Sequence, residues 1–218
     1  MPFGPFVVLD WDNTLHDSAG TNFAALERVL AGYAVRVTPQ DYRRAYSVDW
    51  RRLYTELGLA AEHLDEASAQ WRRLVAQEQP RLLPGAAAAL NRLRAAGTTL
   101  ALITTAPRVV AERQVQGTGL GRIFAAIRYG DGQPPRPDPA PLLELLQEVG
   151  AQPSEAALCS DTTADMRMAV GAGVRAVGIV SFVFDGSALC AAGAEETASS
   201  VAEWASGDGD ACPGGSNG

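Results

Sequence analysis

Asp10, Asp12 and Thr14 follow directly on the apolar run Phe6-Val7-Val8-Leu9. A short apolar stretch that stops at two carboxylates reads as a buried strand carrying chemistry at its C-terminal end. Alternate residues of an extended segment point the same way, so the two carboxylates are expected to share one space. In open α/β sheets that space is the crevice where ligands bind. Like charges held this close repel, and a cation, a shared proton or solvent must relieve them. A hard divalent metal suits such an oxygen-rich pair.

Three further pieces have the same character. Leu100-Ala101-Leu102-Ile103 delivers Thr104 and Thr105, and a threonine hydroxyl there can donate to a phosphate oxygen. Arg136-Pro137-Asp138-Pro139 puts a permanent cation just before a helix whose start is set by prolines. In Ala157-Leu158-Cys159-Ser160-Asp161-Thr162-Thr163-Ala164-Asp165, a strand runs into Asp161 and a helix carries Asp165 four residues later. Each piece alone has an ordinary explanation: strand propensity for Thr104, a surface position for Arg136, and acids suited to a helix dipole for Asp161 and Asp165.

The elements that must position these residues alternate between strand-like and helix-like segments, which predicts an α/β fold, a parallel sheet with covering helices. Strands are expected at residues 6–10, 99–104, 125–129, 156–160 and 176–181. Residues 18–79 read as helix after helix and are expected to form an inserted helical domain between core segments 1–17 and 80–206. Thr38 can cap a helix opening at Pro39, and Gly58 can end the helix that precedes it. Leu53, Leu57, Leu64, Trp71 and Leu74 are expected to pack inside this insert, with the paired arginines Arg43-Arg44, Arg51-Arg52 and Arg72-Arg73 on a solvated face or reaching an anionic substrate. A further helix is expected over residues 86–96, ended by Gly97. The stretch 207–218, rich in Gly, Asp and Ser, has few apolar groups to offset the entropy of ordering and is expected to be disordered.

Composition narrows the function classes. A chain of 218 residues with 47% hydrophobic residues can bury a sizeable core, and a net charge of −7 gives no general attraction to nucleic acid or anionic membrane. Neither partner is expected, and no apolar run reaches the ~18 residues of a spanning helix. A cytoplasmic protein, monomer or homodimer, is expected. All 18 basic residues are arginine, so lysine nucleophiles and Schiff bases are excluded. Cys159, Cys190 and Cys212 are widely spaced and suggest neither a disulfide framework nor a zinc site, and Cys159 is expected to pack as a small apolar residue. His16 and His63 are too few and scattered for a His-rich metal site and read as surface or boundary residues.

The four pieces, in this order and at strand ends, resemble the haloacid dehalogenase-like superfamily, in its phosphoglycolate phosphatase-like branch with a helical cap. The resemblance runs to about Trp204. It implies a Rossmann-like core with helices on both faces of the sheet and a cap formed by residues 18–79. It further implies a Mg²⁺-dependent phosphatase acting on a small phosphorylated metabolite. By this resemblance Asp10 is the nucleophile that forms an aspartyl-phosphate, and Asp12 is the general acid and then the base. Mg²⁺ is held by Asp10, Asp161 and the backbone carbonyl of Asp12. Thr104, Thr14 and backbone N–H groups near Trp11, Asn13 and Thr105 bind the phosphoryl group, Arg136 offsets its charge, and Asp165 orients Arg136 or a metal-bound water.

Two positions depart from the family's pattern: Arg136 stands where lysine is usual, and Ser160 where glycine usually precedes Asp161. Arginine keeps the charge but is larger and forked, so it clasps oxygens bidentately. The presence of Asp12 argues against halide displacement, and the lack of lysine argues against phosphonate cleavage. A phosphosugar mutase and an inactive binding module of the same fold remain the alternatives. Phosphoglycolate, a sugar phosphate and a nucleoside monophosphate all suit the expected site.

Overall fold

A computed structural model describes residues 4–47, 49–77 and 79–213. The chain divides into two compact units, one built from the residues up to Asp17 together with those from Pro80 onward, the other from Ser18–Gln79.

The first unit holds a sheet of seven strands: β1 (Phe6–Leu9), β2 (Thr99–Ile103), β3 (Ala126–Arg128), β4 (Ala156–Ser160), β5 (Arg175–Ile179), β6 (Glu196–Ala198) and β7 (Asp210–Ala211). Their spatial order is β3-β2-β1-β4-β5-β6-β7, parallel throughout except for the antiparallel β6–β7 pair. The five expected strands are present. Because β1 lies between β2 and β4, the connections reverse direction around it, and such a reversal opens a crevice at the strands' C-terminal ends. Leu9 is in register with Leu102 on one side and Cys159 on the other.

The helical unit contains α1 (Ala19–Ala31), α2 (Pro39–Ala45), α3 (Trp50–Glu56) and α4 (Leu64–Val75). Thr38 closes a capping box with Asp41 at the start of α2, satisfying backbone N–H groups that a helix terminus otherwise leaves free. Gly58 follows α3 at φ 92°, a left-handed conformation that glycine adopts without steric cost. Leu26, Val29 and Leu30 of α1 are buried, as are Leu53 of α3 and Leu64, Ala67 and Val75 of α4, while Leu57, Trp71 and Leu74 are half-buried. Three of the paired arginines meet acids within this unit: Arg44 with Asp41 at 2.7 Å, Arg51 with Asp65 at 2.5 Å and Arg52 with Glu56 at 2.7 Å. Exposed pairs of this kind contribute at most about 1 kcal/mol each.

The remaining helices cover the sheet: α5 (Ala86–Ala95), α6 (Arg108–Gly117), α7 (Ala140–Glu148), α8 (Thr163–Ala172), α9 (Gly186–Ala191) and α10 (Val201–Trp204). Strand alternation divides the core between the two faces. Val7, Leu9, Leu100, Leu102, Cys159 and Val177 point toward α5, α6 and α10 and pack with Leu90, Leu93, Val115 and Trp204. Val8, Ala101, Ile103, Leu158 and Ala176 point the other way, onto Leu142, Leu145, Met166, Met168 and Leu189 of α7, α8 and α9. Each fully buried side chain of this size contributes about 1.5–3 kcal/mol, so the sheet is anchored on both faces. Its strand ends are a rigid platform.

The C-terminal stretch corrects two expectations. Residues 207–213 are ordered: β7 pairs with β6 through Glu196↔Ala211 and Thr197↔Asp210, and residues 214–218 lie outside the described residues. Cys190 and Cys212 form a disulfide with Cα atoms 5.5 Å apart. Twenty-two residues separate them in sequence, and only the β6–β7 turn-back brings Cys212 to α9. Cys159 is free and fully buried, as expected for a small apolar residue, and burial pushes its thiol pKa up.

Candidate active site

Register builds the site. Asp10 directly follows β1 and donates its backbone N–H to the Cys159 carbonyl at 2.9 Å, so the ladder runs one residue beyond the strand. Thr104 and Asp161 each lie two residues past the positions aligned with Leu9, namely Leu102 and Cys159. All three side chains are buried at the same edge of the sheet, Asp10 at 6% exposure, Thr104 at 2% and Asp161 at 1%.

Charge is concentrated here. Burial pushes the Asp10 carboxyl well above the usual carboxylate range; Arg136 pulls it down, while Asp161 and Asp12 push it further up and the Trp11 backbone N–H lowers it. Burial likewise raises Asp161, to about 7, opposed by the Ser181 hydroxyl, reinforced by Asp12 and opposed again by Asn13. One oxygen of Asp161, Oδ2, is buried without a hydrogen-bond partner. A buried acceptor left unsatisfied is costly, and two buried carboxyls held above their ordinary range are relieved by a cation. Among the described residues no group of three or more His, Cys, Asp or Glu side chains is arranged to hold a metal ion. The Asp10 and Asp161 carboxylates and the Asp12 carbonyl are oxygen donors of the kind a hard cation takes.

Arg136 approaches from the loop before α7. Its guanidinium Nη1 pairs with Oδ1 of Asp165, and both side chains are almost fully buried, at 5% and 3% exposure. Asp165 lies in the first turn of α8, where the Thr162 hydroxyl caps the helix by accepting its backbone N–H at 3.1 Å. The second carboxylate oxygen of Asp165, Oδ2, accepts hydrogen bonds from the Ser160 hydroxyl at 2.6 Å and the Thr162 hydroxyl at 2.9 Å. Ser160 thus supplies a donor that glycine lacks, and it acts on the carboxylate that holds Arg136.

Thr104 Oγ1 accepts the Ala106 backbone N–H at 3.1 Å, which leaves its own proton to donate elsewhere. Thr105 is exposed beside it, and the loop after β3 passes so close that a Cβ on Gly130 would lie 2.1 Å from the Thr105 carbonyl oxygen. Only glycine permits that approach.

The loop from residue 11 to residue 16 differs in part from expectation. The Trp11 indole is fully buried and donates to Gln114 Oε1 at 3.0 Å, so that side chain serves the core. Asn13 adopts φ 57° and gives its backbone N–H to the His16 carbonyl at 2.8 Å, so this N–H is already committed within the loop. Thr14 is buried, with Oγ1 lacking a partner. His16 is not a surface residue: it is 6% exposed, and its Nδ1 lies 3.1 Å from Asp12 Oδ1. Sequence reasoning missed it because the i, i+4 spacing carries meaning in a helix, whereas here a tight loop closes the distance. Ser181 was missed too, although it sits two residues past β5 just as Asp161 follows Cys159.

Residues 7–179 match the family model for haloacid dehalogenase-like hydrolases. Among curated proteins, a phosphorylated carbohydrates phosphatase from Thermotoga maritima is 28% identical over 197 residues, covering 86% of this chain and 91% of the relative. A phosphoglycolate phosphatase from Pseudomonas putida is 29% identical over 185 residues, covering 79% and 68% respectively. Among solved structures, a haloacid dehalogenase-like family hydrolase from Streptococcus pneumoniae superposes with a TM-score of 0.81 at 18% identity, over 94% of this chain and 98% of the other, a likeness of fold. With the family model spanning most of its length and the motif residues gathered at one edge of the sheet, the chain belongs to the haloacid dehalogenase-like hydrolase family.

Proposed function

We propose that this chain is a Mg²⁺-dependent phosphatase that hydrolyses a small organic phosphate monoester through an aspartyl-phosphate on Asp10. The observation that carries the reading is the convergence of Asp10, Asp12, Thr104, Arg136 and Asp161 at the C-terminal ends of β1, β2 and β4. Mg²⁺ bound by Asp10, Asp161 and the Asp12 carbonyl would offset the repulsion between an anionic nucleophile and an anionic phosphate.

The chain's own residues supply the rest. Asp10 attacks phosphorus in line with the departing oxygen, helped toward its ionised form by Arg136. Asp12 protonates that oxygen and then, deprotonated, takes a proton from the water that attacks the acyl phosphate. Thr104 donates to a phosphoryl oxygen, and Arg136, held by Asp165, balances the charge spread over the phosphoryl group in transit. Thr14 and the backbone around Trp11 and Thr105 complete the cradle. The similarity to carbohydrate-phosphate and phosphoglycolate phosphatases supports a sugar phosphate or phosphoglycolate as substrate.

Phosphate release from p-nitrophenyl phosphate tests this reading, measured with Mg²⁺, with chelator, and with Asp10→Asn. Metal-dependent release abolished by the substitution supports it. Absence of release from folded protein, extended to sugar phosphates, phosphoglycolate and sugar bisphosphates, would move the assignment to a mutase or a binding module.

A further inference from the structure

His16 is held on several sides beside the carboxyl of Asp12. Its backbone N–H donates to the Trp11 carbonyl at 2.9 Å, and its own carbonyl accepts from Asn13 at 2.8 Å. Its ring stacks on the Trp11 indole, with centroids 5.4 Å apart and planes inclined by 19°. Trp11 is itself pinned through Gln114. Bridges to Asp12 and to Leu82 fix the His16 backbone on both sides. The Asp12 side chain, in contrast, is one-third exposed, and among the described residues its carboxyl has His16 as hydrogen-bond partner, Nδ1 to Oδ1 at 3.1 Å. A partly exposed carboxyl is thus tied to a buried, stacked ring.

We infer that His16 is a positioning residue for Asp12: its ring nitrogen holds Oδ1 and leaves Oδ2 as the oxygen that exchanges protons with the substrate. The inference rests on the phosphatase reading. Nδ1 is assigned as the donor because its partner is a carboxylate. With Oδ1 occupied, the proton of the acid form resides on Oδ2. In the first half-reaction Asp10 forms a bond to phosphorus, the bond from phosphorus to the ester oxygen breaks, and that oxygen takes the Oδ2 proton. In the second, water gives a proton to Oδ2 as its oxygen bonds to phosphorus and the bond from Asp10 to phosphorus breaks. Both transfers require one oxygen to stand in one place, and a carboxyl free to rotate meets that geometry only part of the time.

General-acid help matters in proportion to the basicity of the departing oxygen, which makes the inference separable from a structural role. An alkoxide needs its proton during departure, whereas p-nitrophenolate leaves without one. Wild type, His16→Phe, His16→Asn and Asp12→Asn are compared on p-nitrophenyl phosphate and on a simple alkyl phosphate such as glycerol phosphate, with Asp10→Asn as the blank. Phenylalanine keeps the stack on Trp11 and removes the donor; asparagine restores a donor near the Nδ1 position. His16→Phe is expected to lower kcat/KM, which reports the first half-reaction alone, on the alkyl ester by about 10-fold or more and to change kcat/KM on the aryl ester by less than about 3-fold. His16→Asn is expected to recover most of the alkyl-ester rate, and Asp12→Asn to show the same selectivity in stronger form. An equal fall in kcat/KM for both esters, no fall for either, or no recovery by His16→Asn in a protein that unfolds at the wild-type temperature would overturn the inference. If wild type releases no more phosphate than Asp10→Asn from either ester, the phosphatase reading has failed and the inference falls with it; a wild type that hydrolyses both while the His16 variants show no selectivity rejects the role of His16 alone.

Discussion

Asp165 and Arg136 form a buried ion pair beneath the strand ends, and the second oxygen of Asp165 is held by Ser160 at 2.6 Å and Thr162 at 2.9 Å. One carboxylate oxygen is thus held by two hydroxyls while the other faces the guanidinium charge, and a buried pair is tolerable only with such additional support. The two departures from the family's pattern, arginine at 136 and serine at 160, meet on this one carboxylate. Arginine's planar fork needs a partner in a set orientation, and the serine hydroxyl helps to set it.

Removing either support should be costly. Asp165→Asn removes the carboxylate charge paired with the buried Arg136 and is expected to destabilise the fold by about 3–5 kcal/mol. Ser160→Ala removes one hydrogen bond to a charged acceptor and should cost about 1.5–3 kcal/mol. Urea unfolding of the two variants checks both values, and a Ser160→Ala protein as stable as wild type would show that Thr162 alone orients Asp165.

Asp161 predicts an inverted pH response. Its folded-state value of about 7 lies above the ordinary value near 3.9, so between the two the folded state keeps a proton that the unfolded state releases. Stability of the metal-free protein contributed by this group therefore falls as pH rises from about 4 to 7 and is level above that. Mg²⁺ bound as proposed would take the ionised form, so it should raise Tm more at pH 8 than at pH 5. Thermal unfolding at the two pH values, with and without Mg²⁺, measures this, and Asp161→Asn should flatten the trend.

Thr104 separates a phosphate donor from a strand terminator. Its oxygen already accepts the Ala106 N–H, leaving the hydroxyl proton for a ligand. Thr104→Val removes both bonds and is expected to reduce kcat by about 10²-fold or more, in the range found for loss of a single transition-state donor. Thr104→Ser retains both bonds and should keep most of the activity. A loss in Thr104→Ser as large as that in Thr104→Val would show that the methyl group, and hence packing, matters as much as the hydroxyl.

Much of this protein is legible along the chain because its signals are local. Strand β1 announces itself as four apolar residues closed by Asp10, and α2 as Thr38 followed by Pro39, since burial of a short extended run and capping of a helix start depend on neighbours in sequence. Strands β6 and β7 carry no such signal. Glu-Thr-Ala and Asp-Ala are strands only because the sheet edge pairs them, and the Cys190–Cys212 disulfide depends on that pairing. The site divides along the same line. Asp10, Asp12, Thr104, Arg136, Asp161 and Asp165 stand out in sequence because strand ends in a parallel sheet are where polar groups can meet a ligand. That His16 turns inward to Asp12, that Trp11 serves the core, and that Ser160 serves Arg136 through Asp165 were decided by tertiary structure. Those contacts join residues through loop geometry and burial, for which one-dimensional spacing has no rule.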